Sequence, residues 1–439
     1  MDINKQFYSY LLSFILVALS GCLGNVVDGI IVGHLISADG VSAINLSQPI
    51  IQFIFTLNLL VNSGTGMLVA YCIGKNDTEQ ASTLFSRALT LSVGLSVIIS
   101  IVGGVMYAQP IARTLCDNEH IFPLAYDYMR VLLIGTPAYI LLWGLSTMVG
   151  ADRQPHLVSV AVIVDNMANL LLDIVFIKFF DWGIAGSSAA TVAGHLIGIA
   201  ILLTHWRNHR NLRLTFHTGN VLDSIKRIIN QGAPLAVASI CLTLLLLSAN
   251  TIVLDILGRT GIFAFAVCMN LLQVYNLFLV GTCLTLQSLG AIQAGAGDNN
   301  ALRQVIRKGF RFITVAMAVT CVFVWIDPQV VVSLFGADTA EMINEGSYAL
   351  RIFALSFVPF CYIYLIMIVY KLYSHHRMAL FISFLLSLTV IPVMWLTARY
   401  APQAIWYSYL IAYLIEIILI VAIHMAGRIK FELKPKPEQ

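Results

Sequence analysis

The chain has 439 residues, of which only 11% are charged and 59% are hydrophobic, with a mean hydropathy of +0.86. A soluble domain carries about a quarter charged residues, so a fold surrounded by water on all sides is excluded, and with it a soluble enzyme or regulator. The formal net charge of +3 is too small to point to nucleic acid as a partner.

Apolar runs long enough to cross a hydrocarbon core of about 30 Å recur along the whole chain, at approximately 8–33, 43–73, 86–111, 124–149, 157–180, 183–206, 233–257, 262–293, 310–335, 349–372, 378–399 and 403–427. In lipid the backbone must satisfy its own polar groups, so these runs are predicted as twelve transmembrane helices, spans one to twelve. The expected fold class is therefore an all-α integral membrane protein. The first run is too long for a cleavable signal and has no small-residue cleavage pattern, so it is expected to stay as a helix.

Span one has no proline but carries Gly21 and Gly24, which could bend it, and Asp28 near its end. Span two holds the amides Gln48, Gln52, Asn58 and Asn62 and ends in a Gly74–Thr78 loop, where Asp77 can cap span three. Span four contains Arg130 and Pro137. Span five carries Asp165, Asn169 and Asp173 at intervals of four, which places them in one stripe on a helix, with Asn166 beside it. Span six opens on Gly183-Ile-Ala-Gly-Ser-Ser-Ala-Ala-Thr191, a small-residue stretch that lets helices approach closely, and contains one histidine, His195, expected to be packed or interfacial. A polar stretch from Trp206 to Asn220 follows. In the second half, Asn250 and Asp255 lie late in span seven, and Gln273, Asn276 and Gln287 lie in span eight. Span ten holds Arg351 and Pro359, span twelve holds Glu416, and a polar tail that is expected to be disordered closes the chain.

Charge placement sets the expected orientation. With the N-terminus inside, Lys5, Lys75, Arg87, Arg153, Arg207, Arg210, Arg213, Lys226, Arg227, Arg303, Arg307, Lys308, Arg311, Lys371, Arg377, Arg428, Lys430, Lys434 and Lys436 fall inside, and Arg113, Arg130, Lys178, Arg259, Arg351 and Arg399 outside, together the 25 Lys and Arg of the chain. Cytoplasmic loops attract positive residues, so the reading is a multi-pass protein of the cell (inner) membrane with both termini cytoplasmic. Seven of the eight cysteines lie inside spans at no metal-like spacing, with Cys116 in a loop. All are read as free thiols.

The chain also repeats itself at an offset of about 221 residues. Ile31, Val32, Ala43, Gln52, Leu68, Ala70, Gly74 and Asp77 are answered by Ile252, Val253, Ala264, Gln273, Leu289, Ala291, Gly295 and Asp298, and Arg130 by Arg351. Such identities are close to chance, but polar punctuation recurs in register with the spans: a Gly–Asp loop after the second, a basic residue opening the third (Arg87, Lys308), a proline in the fourth (Pro137, Pro359). Two similar membrane halves around one site is a design of alternating-access carriers. The expected organisation is an N-terminal lobe over 1–206, a cytoplasmic linker over 207–229, a C-terminal lobe over 230–428 and a tail over 429–439. No phosphate loop, nucleophile elbow or HExxH pattern occurs, so no enzyme and no cofactor are expected.

Ionisable side chains inside the membrane are expensive and are functional candidates by default. Chain direction puts Asp28 and Asp173 at matched depth in the outer half of the bilayer, where they could share a cavity. Structural hydrogen bonding is the alternative reading for each of the buried acids. The amides could line a wet cavity or could tie helices together.

At this point the residues resemble a known family. Val27-Asp-Gly-Ile-Ile-Val-Gly-His34 with Ala43 to Pro49, Asn169-Leu-Leu-Leu-Asp173 with Ile174 to Ile177, Gly183 to Thr191, Gln231-Gly-Ala-Pro234, and Gln287-Ser-Leu-Gly290 ahead of Gly295 are similar to the helices of multidrug and toxic compound extrusion (MATE) transporters. The resemblance covers essentially the whole chain. It implies two pseudo-symmetric six-helix lobes around a central cleft, and secondary active efflux driven by H⁺ or Na⁺. By motif match Asp28, Asn169, Asp173 and Thr191 take the ion-coupling positions, as proton carriers or as an Na⁺ site; Asp165 has no counterpart. The acids that one branch, the NorM type, carries in helices seven and ten have no match among Pro234 to Leu254 or Arg351 to Tyr370, which favours the DinF-type branch. The expected partners are small amphipathic, often cationic substrates and the lipid bilayer, with the chain acting as a monomer. A lipid-linked saccharide flippase and an integral membrane transferase are the alternatives; the first would need basic residues in its cavity, the second a catalytic pocket that the short loops do not offer.

Overall fold

The computed structural model describes residues 2–116, 118–208, 211–215, 220–336, 339–427, 431 and 433. Arg210, Arg428, Lys430, Lys434 and Lys436 of the charge count, and most of the predicted tail, lie outside the described residues, as does part of the predicted linker. No strand occurs among the described residues. The membrane-length helices are α1 (Ile3–Leu35), α2 (Asp39–Gly74), α3 (Thr78–Met106), α4 (Phe122–Ile134 with Thr136–Ala151), α5 (Pro155–Phe179), α6 (Gly183–Arg207), α7 and α8 (together Val221–Ala296), α9 (Asn299–Ile326), α10 (Ala340–Leu372), α11 (His376–Tyr400) and α12 (Pro402–Ala426).

The helical run Val221–Ala296 is 76 residues long. At 1.5 Å per residue it would measure about 114 Å, several times the bilayer. It breaks at Gly258, whose φ of 57° and ψ of −144° are open only to a residue without a Cβ. The sequence leads one to expect a short loop there; one glycine does the whole turn. α4 differs in the same direction. It was expected as one run, but it bends by 49° between Ile134 and Thr136, because Pro137 has no amide hydrogen for the preceding turn.

Outward faces are apolar. On α9, Val315, Val319, Phe323 and Ile326 are all exposed, Ile326 to 77%. In water such a stripe would drive aggregation; in a bilayer it meets its own kind of solvent. The chain is a multi-pass membrane protein, and its eight cysteines are free.

The chain divides into two compact units. Unit 1 comprises Met1–Ala233 with Ala291–Ala296; unit 2 comprises Pro234–Gly290 with Gly297–Gln439. Repeat-equivalent positions have equivalent geometry. Asn76 and Gly297 both take left-handed φ, 61° and 76°, and the following Asp77 and Asp298 each cap the next helix, accepting from Gln80 N at 3.0 Å and Ala301 N at 2.9 Å. Within unit 1 the end of α2 crosses the end of α8 with backbones touching. A Cβ at Gly74 would strike the Ile292 carbonyl, and one at Gly295 would strike the Tyr71 carbonyl. Both contacts exchange under the 221-residue offset.

The segment after α6 is pinned to unit 1. Arg213 N and Thr215 N donate to Ser82 and Ser86 on α3 at 3.1 and 2.8 Å. Asp152, at the end of α4, is fully enclosed with His205 at 2.8 Å and accepts from Asn211 at 2.9 Å. Residues 221–229 of the predicted linker are helical.

Candidate functional site

Small residues bring α5 and α6 together. Gly186, Ala190, Gly194 and Gly198 recur at intervals of four along α6. A Cβ at Gly186 would sit 3.1 Å from Phe176 backbone, one at Gly194 would sit 2.8 Å from the Asp165 carbonyl, and one at Gly198 would sit 3.1 Å from Asp165 Cβ. Packing this close is how membrane helices associate without a hydrophobic force between them.

Beside that file runs a polar one. Ser187, Thr191 and His195 are spaced by four on α6, facing Asp173, Asn169 and Asp165 on the antiparallel α5. Each pairs with its opposite number. Asn169 Nδ2 donates to Thr191 Oγ1 at 3.0 Å, His195 Nδ1 lies 2.8 Å from Asp165 Oδ1, and the Ser187 hydroxyl stands beside Asp173. The result is a three-rung ladder in the interior of unit 1.

α1 completes the top rung. Ser187 Oγ donates to Asp28 Oδ1 at 3.1 Å, and the Asp28 and Asp173 carboxyls face each other directly. Asp173 and Ser187 are fully buried, Asn169 is 7% exposed and Asp165 is 3% exposed. α1 is held to α5 by Asn166, which donates to Ser20 Oγ at 3.1 Å. Gly24 makes room for that amide, since a Cβ there would sit 2.6 Å from Asn166 Oδ1; its use is close approach. α4 closes the other side: Tyr128 accepts through its carbonyl from Ser188 at 3.1 Å, and Tyr139 stands beside Thr191 and edge-on to the His195 ring.

The chemistry of the top rung is defined by what is missing from it. Among the described residues neither Asp173 oxygen accepts a well-formed hydrogen bond, although both are buried. Two carboxylates side by side in a low dielectric repel each other unless positive charge lies between them. The donor set, two carboxyls with an amide and two hydroxyls, fits a proton or a small hard cation and no soft metal. Among the described residues no three His, Cys, Asp or Glu side chains gather as a metal site.

Of the predicted site residues, Asp28, Asn169, Asp173, Thr191 and Asp165 come together here. His195, expected to be packed or interfacial, is buried and is Asp165's partner. The signal was present as the Ser187, Thr191, His195 spacing, which repeats the stripe of span five. The amides are dispersed. Asn62 Nδ2 donates to Asn58 Oδ1 at 2.7 Å and Asn62 Oδ1 accepts from Ser92 at 3.0 Å, which ties α2 to α3. Gln48, Asn250 and Gln273 are exposed, Gln52 and Asn276 half-buried, and Gln287 buried within a π-helical turn of α8. Glu416 is buried in unit 2, accepting from Thr389 at the break of α11, and Asp255 is exposed.

Comparison with known proteins identifies the fold family. The MatE family model matches residues 12–175 and again 234–396, most of the chain. The chain belongs to the MatE family. MatE proteins are transporters, and the two matched stretches fall one on each side of the α6–α7 connection. Relatives include the multidrug export protein MepA of Staphylococcus aureus (strain bovine RF122 / ET3-1), 22% identical over 92% of this chain and 90% of its own, and the probable multidrug resistance protein YoeA of Bacillus subtilis (strain 168), 22% identical over 74% and 72%. The fold matches a MOP-superfamily transporter of Pyrococcus furiosus Vc1 with a TM-score of 0.88 at 18% identity, covering 98% of both chains. It also matches the bent form of the Vibrio cholerae MATE transporter VcmN, with a TM-score of 0.87 at 20% identity over 97% of both chains.

Proposed function

We propose that this MatE chain is a secondary multidrug exporter of the cell membrane, moving amphipathic, often cationic compounds outward in exchange for protons by alternating access. The observation that carries the reading is the Asp28–Asp173 pair, a half-buried and a fully buried carboxyl side by side, with neither Asp173 oxygen accepting a well-formed hydrogen bond among the described residues. A pair of this kind is tolerable only while something positive neutralises it, and an occupant that comes and goes is what a coupled carrier requires. A cationic substrate in the same cavity would compete with the proton, which links the two fluxes. The names of the relatives MepA and YoeA support drug-like substrates, and the excess of Lys and Arg in alternate loops supports cytoplasmic termini.

In this reading Asp28 and Asp173 exchange the proton, Ser187 orients Asp28, and Asn169 and Thr191 hold the helices in register beneath them. The concentration of buried acids in unit 1 favours the DinF-type branch. The test is dye efflux from proteoliposomes under imposed pH and sodium gradients, comparing the wild type with Asp28→Asn and Asp173→Asn. Proton-driven efflux in the wild type and its loss in both folded variants is expected. Coupled flux that survives in both, or that follows sodium alone, would overturn the reading.

A further inference from the structure

Below the Asp28–Asp173 rung lies a second ionisable pair that the proposed cycle does not use. His195 Nδ1 and Asp165 Oδ1 are 2.8 Å apart, with side chains 11% and 5% exposed. His195 Nε2 is buried and has no hydrogen-bond partner among the described residues. A buried imidazole nitrogen normally has one, and here the free position is the one that can take a proton while the other nitrogen is held by a carboxylate.

The two pairs are joined. Asp165 lies eight residues before Asp173 on the same face of α5, a rise of about 12 Å. Between them stands the Asn169–Thr191 rung. Tyr139 of α4 spans the gap: its ring stands at 90° to the His195 ring with centroids 4.3 Å apart, and its hydroxyl side meets Thr191. The titratable group that faces the lower pair is therefore Tyr139 from α4, while Asp28 from α1 and Asp173 from α5 stand two rungs above it.

We propose that Asp165 and His195 form a second proton-holding site of unit 1, loaded from the Asp28–Asp173 pair along the α5–α6 ladder. The proposal rests on the proton-coupled reading above. The proton leaves an Asp28 or Asp173 carboxyl, which becomes a carboxylate, and arrives at His195 Nε2. The imidazolium so formed keeps its proton on Nδ1 and donates it as a hydrogen bond to the Asp165 carboxylate at Oδ1. No bond other than O–H and N–H is broken or made. A proton held there has moved from the depth of Asp173 toward the Pro155 end of α5, and it leaves the upper pair free to meet a cationic substrate while the first proton is still on board.

Two measurements test this on the full chain. The first uses ethidium in phosphatidylethanolamine–phosphatidylglycerol vesicles. His195→Gln is expected to keep dye–dye exchange without a gradient within about twofold of wild type, yet to lose pH-driven accumulation by about tenfold or more, as removal of a proton-transfer group does. Its rate should also lose a pH dependence that the wild type shows. Asp165→Asn should behave likewise, and His120→Gln, in an exposed loop, should match wild type. A His195→Gln pH profile that superimposes on the wild-type curve overturns the proposal.

The second measurement needs no transport. Imidazole NMR of the protein in lipid nanodiscs, with His195 assigned by its absence in His195→Gln, should give a titration midpoint that differs between wild type and Asp173→Asn by about half a pH unit or more. A full charge about 12 Å away at an effective dielectric of about 20 shifts a midpoint by about one pH unit, so half a unit is a conservative threshold. Identical midpoints overturn the second site whatever the dye does. Wild-type vesicles without pH-driven efflux, or an Asp173→Asn variant as active as wild type, would instead overturn the proposed exchange at the upper pair, and the NMR comparison then decides the lower pair alone.

Discussion

Replacing Gly194 with alanine should separate the packing of the ladder from its chemistry. The added methyl would lie 2.8 Å from the Asp165 carbonyl oxygen, 3.0 Å from Asp165 Oδ1 and 3.2 Å from Asn169 Cβ. Ordinary carbon contacts begin near 3.5 Å, and the first obstacle is backbone on a straight helix, so α5 and α6 must part by about half an ångström. Overpacking of this kind costs about 1–3 kcal/mol. The same displacement stretches the Asn169–Thr191 bond beyond its present 3.0 Å and the Asp165–His195 contact beyond 2.8 Å, each worth about 0.6 kcal/mol in a membrane interior. Alanine would return about 0.5–1 kcal/mol through helix propensity, so the net loss should be about 1–3 kcal/mol. Gly94→Ala on α3 is the control, since a Cβ there meets nothing within 4 Å and only the propensity gain remains. Thermal unfolding of the two purified variants in detergent should shift in opposite directions, Gly194→Ala down and Gly94→Ala level or up. A Gly194→Ala protein as stable as Gly94→Ala and fully coupled would refute both the close approach and its link to the ladder.

Other substitutions probe features away from the top rung. Lys371 is buried at 1% exposure with no hydrogen-bond partner for Nζ among the described residues, and an unpaired buried amine is costly; Lys371→Met should raise the unfolding temperature and leave efflux unchanged, and a loss of efflux would assign the lysine a role in transport. Asp152→Ala removes an acceptor from both His205 and Asn211 in an enclosed site, which should lower stability by about 1–3 kcal/mol and release the 211–215 segment to proteolysis. Asn62→Ala removes the partner of Asn58 and Ser92 and should cost about 0.6–1.7 kcal/mol, a typical range for interhelical polar contacts, measured by chemical unfolding. Gly74→Val should abolish assembly outright, because the obstacle is the Ile292 backbone carbonyl; recovery of normally folded protein would contradict the crossing.

The number and placement of the spans could be read from the chain because a bilayer allows so few solutions: an apolar run of this length has to be a helix. Caps were legible for a similar reason, since Asp77 and Asp298 sit where helices need acceptors. The bends were less so. Pro137 announces a break without its angle, and nothing in Leu257-Gly-Arg-Thr260 says that one residue suffices for a turn. Within the site, the stripe Asp165, Asn169, Asp173 was readable from its period, but its partners lie on another helix, and a single sequence does not state which faces meet. Asp28 and Ser187 are 159 positions apart; only folding brings them into contact. Asn58 and Asn62 were visible as polar groups in lipid, yet their direction, toward each other and Ser92, is set by a rotation about α2 that composition does not record.

The two files on α6 have different powers of discrimination. The small-residue file, Gly186, Ala190, Gly194 and Gly198, looks nearly the same after a slide of one turn, so on its own it would let α5 dock at several heights. The polar file does not survive that slide. Moved by four residues, Asp165 would meet Thr191, Asn169 would meet Ser187, and His195 would lose its carboxylate. The residues proposed to carry protons therefore also act as the address that tells two newly inserted helices where to stop. Selection on transport and selection on correct insertion fall on the same side chains, and a variant that exports nothing has to be asked first whether it was ever assembled in register.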